Sequence, residues 1–296
     1  MLCSAKANAY QPNPKRILLI LDWLRIDFDI LRFQGQLVDC CRKLYEGGEL
    51  KERDIAVSNQ RLWRVVRDAS IEAYSDEEQC ELVTPILTYS DLEILQQLVA
   101  KLKAAGARVN RSCGLHIHVD AKGFTPQAFV NLVTLVGSKE QLIYRALGIP
   151  KDRMRYCKRI NDELVESILK KKPESLEELR KEWYLESPYE TVAGKYHSTR
   201  YHGLNLHAMF TKGTVEFRLF NSTLEKKEVK AYIQFALALC KQAQVHKKAV
   251  MKKTNSYNDK YLFRCFLLRL GLSGDEFKDC RQVLLSKLTG DSAWKG

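Results

Sequence analysis

The stretch Cys113–Asp120, C-G-L-H-I-H-V-D, constrains the fold of this chain more than any other. His116 and His118 are separated by Ile117, and Val119 follows them. In an extended strand, residues i and i+2 lie on one face. Both imidazoles therefore share a face with the aspartate that ends the stretch, and the aliphatic residues face a core. Three polar side chains in a row are costly to bury unless they bind something, so the pattern predicts a strand that carries a functional site.

The size and composition of the chain limit the class of protein. With 296 residues, 45% of them hydrophobic, the chain can bury one large core. No apolar run reaches the roughly 18 residues of a membrane helix, and no signal-peptide pattern is present, so we expect a cytoplasmic protein with no membrane partner. The nine scattered cysteines include no C-x-x-C pair, which favours reduced thiols and excludes a zinc ribbon.

The net charge of +12 lies largely in the segment 225–296. Such a basic region can serve nucleic-acid binding, attraction of an anionic substrate such as a nucleotide, or solubility. No helix-turn-helix, finger or RNA-binding signature accompanies the charge, so we do not expect a nucleic-acid partner. A separate protein- or nucleic-acid-binding role of the C-terminal region stays open. We expect a flexible N-terminus at 1–16, a catalytic domain at 17–250 and a basic helical extension at 251–296.

Strand and helix patterns occur in clusters along the chain. Strands are predicted near 24–30, 61–67, 81–85, 115–120, 201–207 and 214–220, with a short turn joining the last two. Helices are predicted at 35–45, after capping residues Ser90, Thr125 and Ser175, and over 225–249, 257–270 and 275–288. This order favours an α+β fold with a mostly antiparallel sheet. Neither G-x-x-x-x-G-K-[ST] nor G-x-G-x-x-G is present, so a P-loop or Rossmann mechanism is not expected.

Four of the predicted strands carry polar groups that a purely structural strand would lack. They are Asp27 with Asp29, Glu81, His116 with His118, and Glu216 with Arg218. Each feature alone is compatible with a solvated strand face or a surface ion pair. Together the carboxylates suit a hard divalent cation such as Mg²⁺, which usually bridges carboxylates to substrate phosphates. An arginine fork suits phosphate oxygens, whereas the histidine pair by itself would suit zinc equally well.

The last of these strands reads T-V-E-F-R-L-F, residues 214–220. Strict alternation predicts that Val215, Phe217 and Leu219 share one face. It places Phe220 on the other face, with the glutamate and the arginine.

Several of these stretches resemble the amidoligase family, which belongs to the carboxylate–amine ligase superfamily of glutamine synthetase and glutamate–cysteine ligase. The resemblance rests on C-G-L-H-I-H-V-D, Y-H-G-L-N-L-H at 201–207, G-T-V-E-F-R-L-F-N at 213–221, E-L-V-T-P-I-L at 81–87 and R-L-W-R-V-V-R-D-A-S at 61–70. It implies a curved antiparallel sheet, flanked by helices, whose concave face holds ATP and Mg²⁺. It also implies that ATP phosphorylates a small-molecule or peptide carboxylate and that an amine attacks the acyl phosphate, which gives an amide or isopeptide bond.

The resemblance also implies roles for individual residues. The implied metal ligands are Glu81, one or both of His116 and His118, and Glu216, with Asp27 and Asp29 on the first strand. The implied role of Arg218 is phosphate contact and catalysis together with Glu216. Arg200 and Asn205 are expected to line the nucleotide or substrate pocket.

The first strand departs from the family pattern F-G-x-E-x-E, whose two glutamates bind metal. Here Asp27 and Asp29 stand at the glutamate positions and Arg25 at the glycine position. Aspartate is one methylene shorter, so it can ligate Mg²⁺ only if the backbone shifts. Two alternatives therefore stay open: a catalytically weakened nucleotide- or metal-binding protein of the same fold, and a metal-dependent hydrolase that uses the histidine pair without ATP. The further histidines at 197, 202 and 207 are interpreted as structural or surface histidines.

Overall fold

The computed structural model describes residues 24–31, 54–56, 62–74, 79–185, 187–188, 190, 196–247 and 258–293, with side chains from residue 63 onward. The strands are β1 (Leu24–Leu31), β2 (Asp54–Ala56), β3 (Leu62–Arg67), β4 (Gln79–Val83), β5 (Gly114–Asp120), β6 (Leu204–Asn205) and β7 (Thr214–Asn221). The first helices are α1 (Leu92–Ala104), α2 (Pro126–Gly137), α3 (Glu140–Leu147), α4 (Asp162–Lys171) and α5 (Leu176–Tyr184). The remaining helices are α6 (His207–Lys212), α7 (Lys226–Val245), α8 (Asp259–Arg269) and α9 (Lys278–Leu285). The predicted helix at 35–45 and the predicted N-terminal segment at 1–16 lie outside the described residues.

The described strands form one seven-stranded sheet in the order β2-β3-β4-β1-β5-β7-β6. Every pair of neighbouring strands is antiparallel. The prediction of an α+β fold with an antiparallel sheet is therefore confirmed. β5 lies near the middle of the sheet between β1 and β7, so the histidine stretch has a strand on each side.

The core lies between the sheet and a helical layer. On β5 the side chains of Leu115, Ile117 and Val119 are fully buried, as the alternation predicts. The long helix α7 packs against β5 and contacts α1 and α2 on either side. Burial of each large aliphatic side chain contributes about 1.5–3 kcal/mol. This packing fixes the orientation of β5, because a shift of one residue would turn the histidines into the core.

A β-bulge interrupts the pairing of β5 with β7. Leu115 pairs with Phe220, whereas Ile117 pairs with Phe217, so β7 contains one extra residue between the two pairs. The predicted face of Phe220 is therefore wrong, because the extra residue moves this ring to the core side. There it stacks on Tyr232 of α7, with a ring-centroid distance of 4.7 Å.

The predicted strand at 201–207 is wrong over most of its length. A 3₁₀ helix covers Ser198–Tyr201, β6 has only two residues, and α6 rather than a short turn leads into β7. Residues 202–208 are all buried. The polar residues among them therefore do not mark the solvated face of a strand, which is what the prediction assumed. Gly213, with φ of 73°, ends α6 in the left-handed region.

Two of the predicted helix starts are confirmed and one is displaced. The hydroxyls of Thr125 and Ser175 each accept a backbone N–H from the third residue after them. Before α1 the cap lies two residues earlier than predicted from Ser90. Here the Asp91 carboxylate accepts the Thr88 N–H at 2.7 Å and the Thr88 hydroxyl at 2.9 Å. The 3₁₀ turn at Tyr89–Asp91 accounts for the displacement.

The last two described helices pack on the helical layer. α9 packs along α7, and α8 contacts both α9 and α3. Arg145 of α3 forms an ion pair with Asp259 of α8, with an N–O distance of 2.7 Å. The predicted division into 17–250 and 251–296 stays a prediction. Within the described residues, no helix has the length and hydropathy needed to span a membrane.

Candidate functional site

The strand register brings the predicted polar positions into one row. His118 pairs with Glu216 on β7, and His116 pairs with Asp27 on β1. Residues directly opposite each other in antiparallel strands project from the same face. The histidine face of β5 therefore continues onto both neighbouring strands. For Asp27 the structure gives the backbone position.

The same row continues to β4. Asp29, two residues after Asp27 on β1, pairs with Glu81. Glu81 in turn pairs with Val66 on β3, and its side chain is partly exposed. The acidic positions predicted from separate strands therefore lie side by side across β4, β1 and β7, with the histidines of β5 between β1 and β7.

Glu216 lies at the centre of the described side chains of this row. It is only 4% exposed, and both of its carboxylate oxygens accept hydrogen bonds. Arg218 Nη1 donates to Oε1 at 2.7 Å, and Asn205 Nδ2 donates to Oε2 at 2.6 Å. Oε1 also lies 3.7 Å from His118 Nε2 and 3.9 Å from His116 Nδ1. Four other predicted site residues thus lie around the carboxylate of Glu216.

This environment keeps Glu216 ionised. Burial acts to raise the pKa of its carboxyl, but the neighbouring His118, Arg218 and His116 side chains outweigh burial. The pKa consequently lies well below its usual range. At neutral pH the site contains a fixed negative charge beside a fixed guanidinium.

A threonine that we did not predict orients one of the histidines. The Nδ1 atom of His118 lies 3.0 Å from the hydroxyl of Thr214, and the ring is 2% exposed. A hydrogen bond at one ring nitrogen fixes which way the other nitrogen points. Thr214 stands two residues before Glu216 on β7, so the same alternation that identified Glu216 also indicated this position.

Arg218 is held by three different groups. Besides Glu216, its Nε atom donates to the carbonyl of Tyr156 at 3.4 Å, and its guanidinium lies 5.9 Å from the ring centre of Tyr201. The side chain is 9% exposed. A guanidinium bound at several points loses little further freedom when it contacts an anion, so the geometry of Arg218 suits an anionic ligand.

Arg200 is connected to this group through the same tyrosine. Its guanidinium lies 5.4 Å from the Tyr201 ring centre and 5.2 Å from the ring of Tyr196. Arg200 is partly exposed, whereas Tyr196 is 70% exposed. The two arginines and two tyrosines therefore run from the surface to the buried carboxylate.

The donor types in the row fit a divalent cation that prefers oxygen. Glu81 and Glu216 supply carboxylates, and the positions of Asp27 and Asp29 lie between them in the register. Among the side chains that the structure describes, no group of three histidine, cysteine, aspartate or glutamate residues forms a metal-binding cluster.

The other three histidines lie in a different environment. His197 and His207 stack on each other at 5.6 Å, and His207 Nδ1 lies 2.6 Å from the hydroxyl of Tyr184. His202 lies edge-on to Trp183 at 5.4 Å. All three are at most 3% exposed. Of the two predicted alternatives, a structural or a surface histidine, their burial and ring contacts favour the structural one and exclude the surface one.

Sequence reasoning missed one further charged residue at this site. Arg153, in the 3₁₀ helix Lys151–Arg155, is 2% exposed and bonds to backbone carbonyls of β7. It lies in a charged stretch that predicts only helical, solvated structure. No periodic pattern in the sequence could have distinguished Arg153 from the arginine two residues later.

Comparison with known protein families gives a match over most of the chain. A family model described as "Putative amidoligase enzyme" matches residues 34–240. The matched range includes β4 to β7 and every predicted site residue except Asp27 and Asp29, which precede it. A search of curated proteins found no match.

Proposed function

The chain belongs to the amidoligase family, and we propose that it is an ATP- and Mg²⁺-dependent ligase that joins a carboxylate to an amine. The observation that carries this proposal is the buried pair of Glu216 and Arg218 beside the two histidines of β5. Phosphoryl transfer depends on fixed positive charge and metal-binding carboxylates placed together. The resemblance to the curved sheet of glutamine synthetase belongs to the same proposal.

The proposed reaction has two steps. A carboxylate oxygen of one substrate attacks the γ-phosphorus of ATP, ADP leaves, and an acyl phosphate forms. The amine nitrogen then attacks the acyl carbon, the carbon–oxygen bond to phosphate breaks, and the nitrogen loses a proton. Two easier steps thus replace one difficult condensation.

In this proposal the residues around Glu216 have distinct tasks. Arg218 offsets the negative charge that develops on the transferred phosphoryl group. Glu216 fixes the direction of that guanidinium, and Asn205 fixes the second oxygen of Glu216. Arg200, nearer the surface, attracts the anionic substrate.

Mg²⁺ would be held at more than one position along this row, because β1 and β5 separate the strands of Glu81 and Glu216. The ligands would be Glu81, Glu216, one or both of His116 and His118, and the two aspartates of β1. When bound, Mg²⁺ neutralises charge on the ATP phosphates. The proposal thus accounts for the unusual density of carboxylates and histidines on one sheet face.

The experiment that tests the proposal supplies purified protein with Mg²⁺-ATP and mixed pools of carboxylates and amines. We expect ADP and phosphate to be released only when both pools are present, and Glu216→Gln to lose this activity. Glu182→Gln is the matched control. Glu182 is also buried, at 8% exposure, but it bonds to Lys171 and Ser167 in α4. Absence of ADP from wild-type protein in every pool would contradict the proposal.

Measurements of nucleotide binding and of activity without ATP separate the two alternatives. Tight Mg²⁺-ATP binding in calorimetry without turnover would favour a catalytically weakened protein. In that case, changing Asp27 and Asp29 together to glutamate should raise turnover, because the longer side chains restore the family pattern. Amide cleavage without ATP would favour a metal-dependent hydrolase.

A further inference from the structure

Arg153 connects the histidine strand to the bulged strand through backbone carbonyls. Its Nη1 atom donates to the carbonyl of Cys113, immediately before β5, at 2.7 Å. Its Nη2 atom donates to the carbonyls of Phe220 at 2.9 Å and Arg218 at 3.4 Å, both on β7. One buried guanidinium therefore bonds to both strands that carry the site.

The bulge explains why an arginine is needed there. A bulge disrupts the ladder of backbone hydrogen bonds, and buried carbonyls without a donor cost free energy. Arg218 and Leu219 together lie opposite His116 at the bulge, and Arg153 donates to the carbonyls of Arg218 and Phe220. A guanidinium has five N–H donors in a rigid fork, whereas a lysine ammonium is a single point of charge.

Arg153 also approaches one of the histidines. A Cβ atom at Gly114 would lie 2.4 Å from Arg153 Nη2 and 2.9 Å from His116 Nε2. Both side chains thus reach the same space beside the strand, and only glycine leaves that space open. A change in the position of the guanidinium would therefore change the space that is left for the His116 ring.

The residues that follow Arg153 contact Arg218 as well. The carbonyl of Tyr156 accepts the hydrogen bond from Arg218 Nε that is described above. The Lys158 N–H donates to the carbonyl of Tyr201 at 2.7 Å. Gly203 N–H donates to Lys158 at 2.9 Å, and the backbone N–H of Arg218 donates to Gly203 at 2.7 Å. The backbone and the side chain of Arg218 are therefore both tied to the segment that Arg153 begins.

We propose that Arg153 is the positioning residue of this site, which holds Arg218 and His116 in place for phosphoryl transfer. The proposal rests on the proposed ligase function for its kinetic consequence. Its structural part, that Arg153 fixes Arg218, applies to the protein without substrates. The two parts can therefore be tested separately.

The kinetic test compares Arg153→Lys and Arg153→Met with Arg145→Lys and Arg145→Met. Arg145 is the control for these variants. Like Arg153 it lies in a short helical segment and has fixed partners, but its partner is Asp259 at the surface. We expect kcat for ADP release to fall about 10- to 100-fold in the Arg153 variants, because a displacement near 1 Å can cost this much. The KM for ATP should change far less, and the Arg145 variants should keep wild-type kcat.

A spectroscopic test needs no substrate. In protein labelled with ¹⁵N-arginine, the Nε–H signal of Arg218 can be assigned through Arg218→Lys. We expect this signal to shift or broaden in Arg153→Lys and to stay unchanged in Arg145→Lys. If the signal moves but wild-type protein shows no ADP release, the positioning role is supported and the proposed ligase function is contradicted.

A third variant covers the case in which the Arg153 variants fail to fold. Gly114→Ala keeps the guanidinium charge but places a methyl group where Arg153 Nη2 and His116 Nε2 approach. We expect the same loss of kcat and the same change in the Arg218 signal. Wild-type kcat together with an unchanged Arg218 signal, in Arg153→Lys or in a folded Gly114→Ala protein, would overturn the proposal.

Discussion

Two carboxylates of this protein are buried to nearly the same extent, yet their pKa values move in opposite directions. Glu216 is 4% exposed and Glu140 is 3% exposed. The pKa of Glu216 lies well below its usual range, since His118, Arg218 and His116 outweigh burial. Burial raises the pKa of Glu140 to about 8, with only partial compensation from the Ile160 N–H and from Arg159.

At nearly equal burial, the surrounding charge therefore decides which of the two carboxyls stays ionised. Glu140 Oε2 accepts the Ile160 N–H at 2.9 Å, and Oε1 is buried without a hydrogen-bond partner in the described part of the chain. Such a group is mostly protonated near neutral pH. Glu216 stays ionised and can bind cations. Carboxyls with widely separated pKa values commonly perform different tasks.

The largest effect is expected from Glu216→Gln. Loss of the charge leaves the buried Arg218 without its anionic partner, which costs about 3–5 kcal/mol of stability when a buried pair is broken. Turnover should fall by about 10²–10³-fold, because a prearranged charge is lost from the site. Urea denaturation and steady-state kinetics measure the two effects. Unchanged kinetics in a folded variant would show that Glu216 is merely structural.

At Glu140, whose pKa is raised and not lowered, we expect the carboxyl to stabilise the fold at low pH. Because its pKa in the folded protein exceeds the ordinary value of 4.5, the folded state binds the proton more tightly than the unfolded state. Its contribution is fully favourable below pH 4.5 and is lost as the pH rises to about 8. Glu140→Gln should therefore lose less stability between pH 5 and 8 than the wild type, by up to a few kcal/mol. Parallel pH profiles of the two proteins in urea denaturation would contradict this assignment.

Arg218→Lys tests whether the site needs a guanidinium or only a positive charge. Lysine keeps the charge beside Glu216 but cannot also reach the Tyr156 carbonyl with a rigid fork. We expect turnover to fall by about 10²-fold, with a smaller change in stability than in Glu216→Gln. Full turnover in this variant would show that a positive charge is sufficient and that the guanidinium fork is not required.

The smallest expected effect distinguishes the histidines of β5 from the three histidines that pack against aromatic rings. His118→Asn should lower turnover by about tenfold, because it removes an imidazole whose Nε2 atom lies 3.7 Å from the Glu216 carboxylate. His207→Gln should lower only stability, by about 1–3 kcal/mol, through its lost contact with Tyr184. Kinetics and thermal melting of both variants, side by side, measure the contrast. Equal losses of turnover would remove the distinction between functional and structural histidines.

The residues of the site were predictable from the sequence where the alternation of apolar and polar residues indicates which face of a strand is buried. The alternation around His116, His118 and Glu216 predicted the shared face, and the register of β5 with its neighbours agrees with it. The bulge was not predictable, since every residue from Thr214 to Phe220 is buried and no solvated face marks the alternation. Arg153 was not predictable either, because its partners are backbone carbonyls of distant strands, which leave no pattern in side-chain order.

The central claim is that a carboxylate is activated by ATP before an amine attacks it. Pools of amino acids and peptides labelled with ¹⁸O in their carboxylates test this claim directly, with Mg²⁺-ATP and amines present. An acyl phosphate transfers one carboxylate oxygen to the phosphate that leaves. The account predicts ¹⁸O in the inorganic phosphate released by the wild-type protein. Phosphate that carries oxygen only from ATP and water would contradict it.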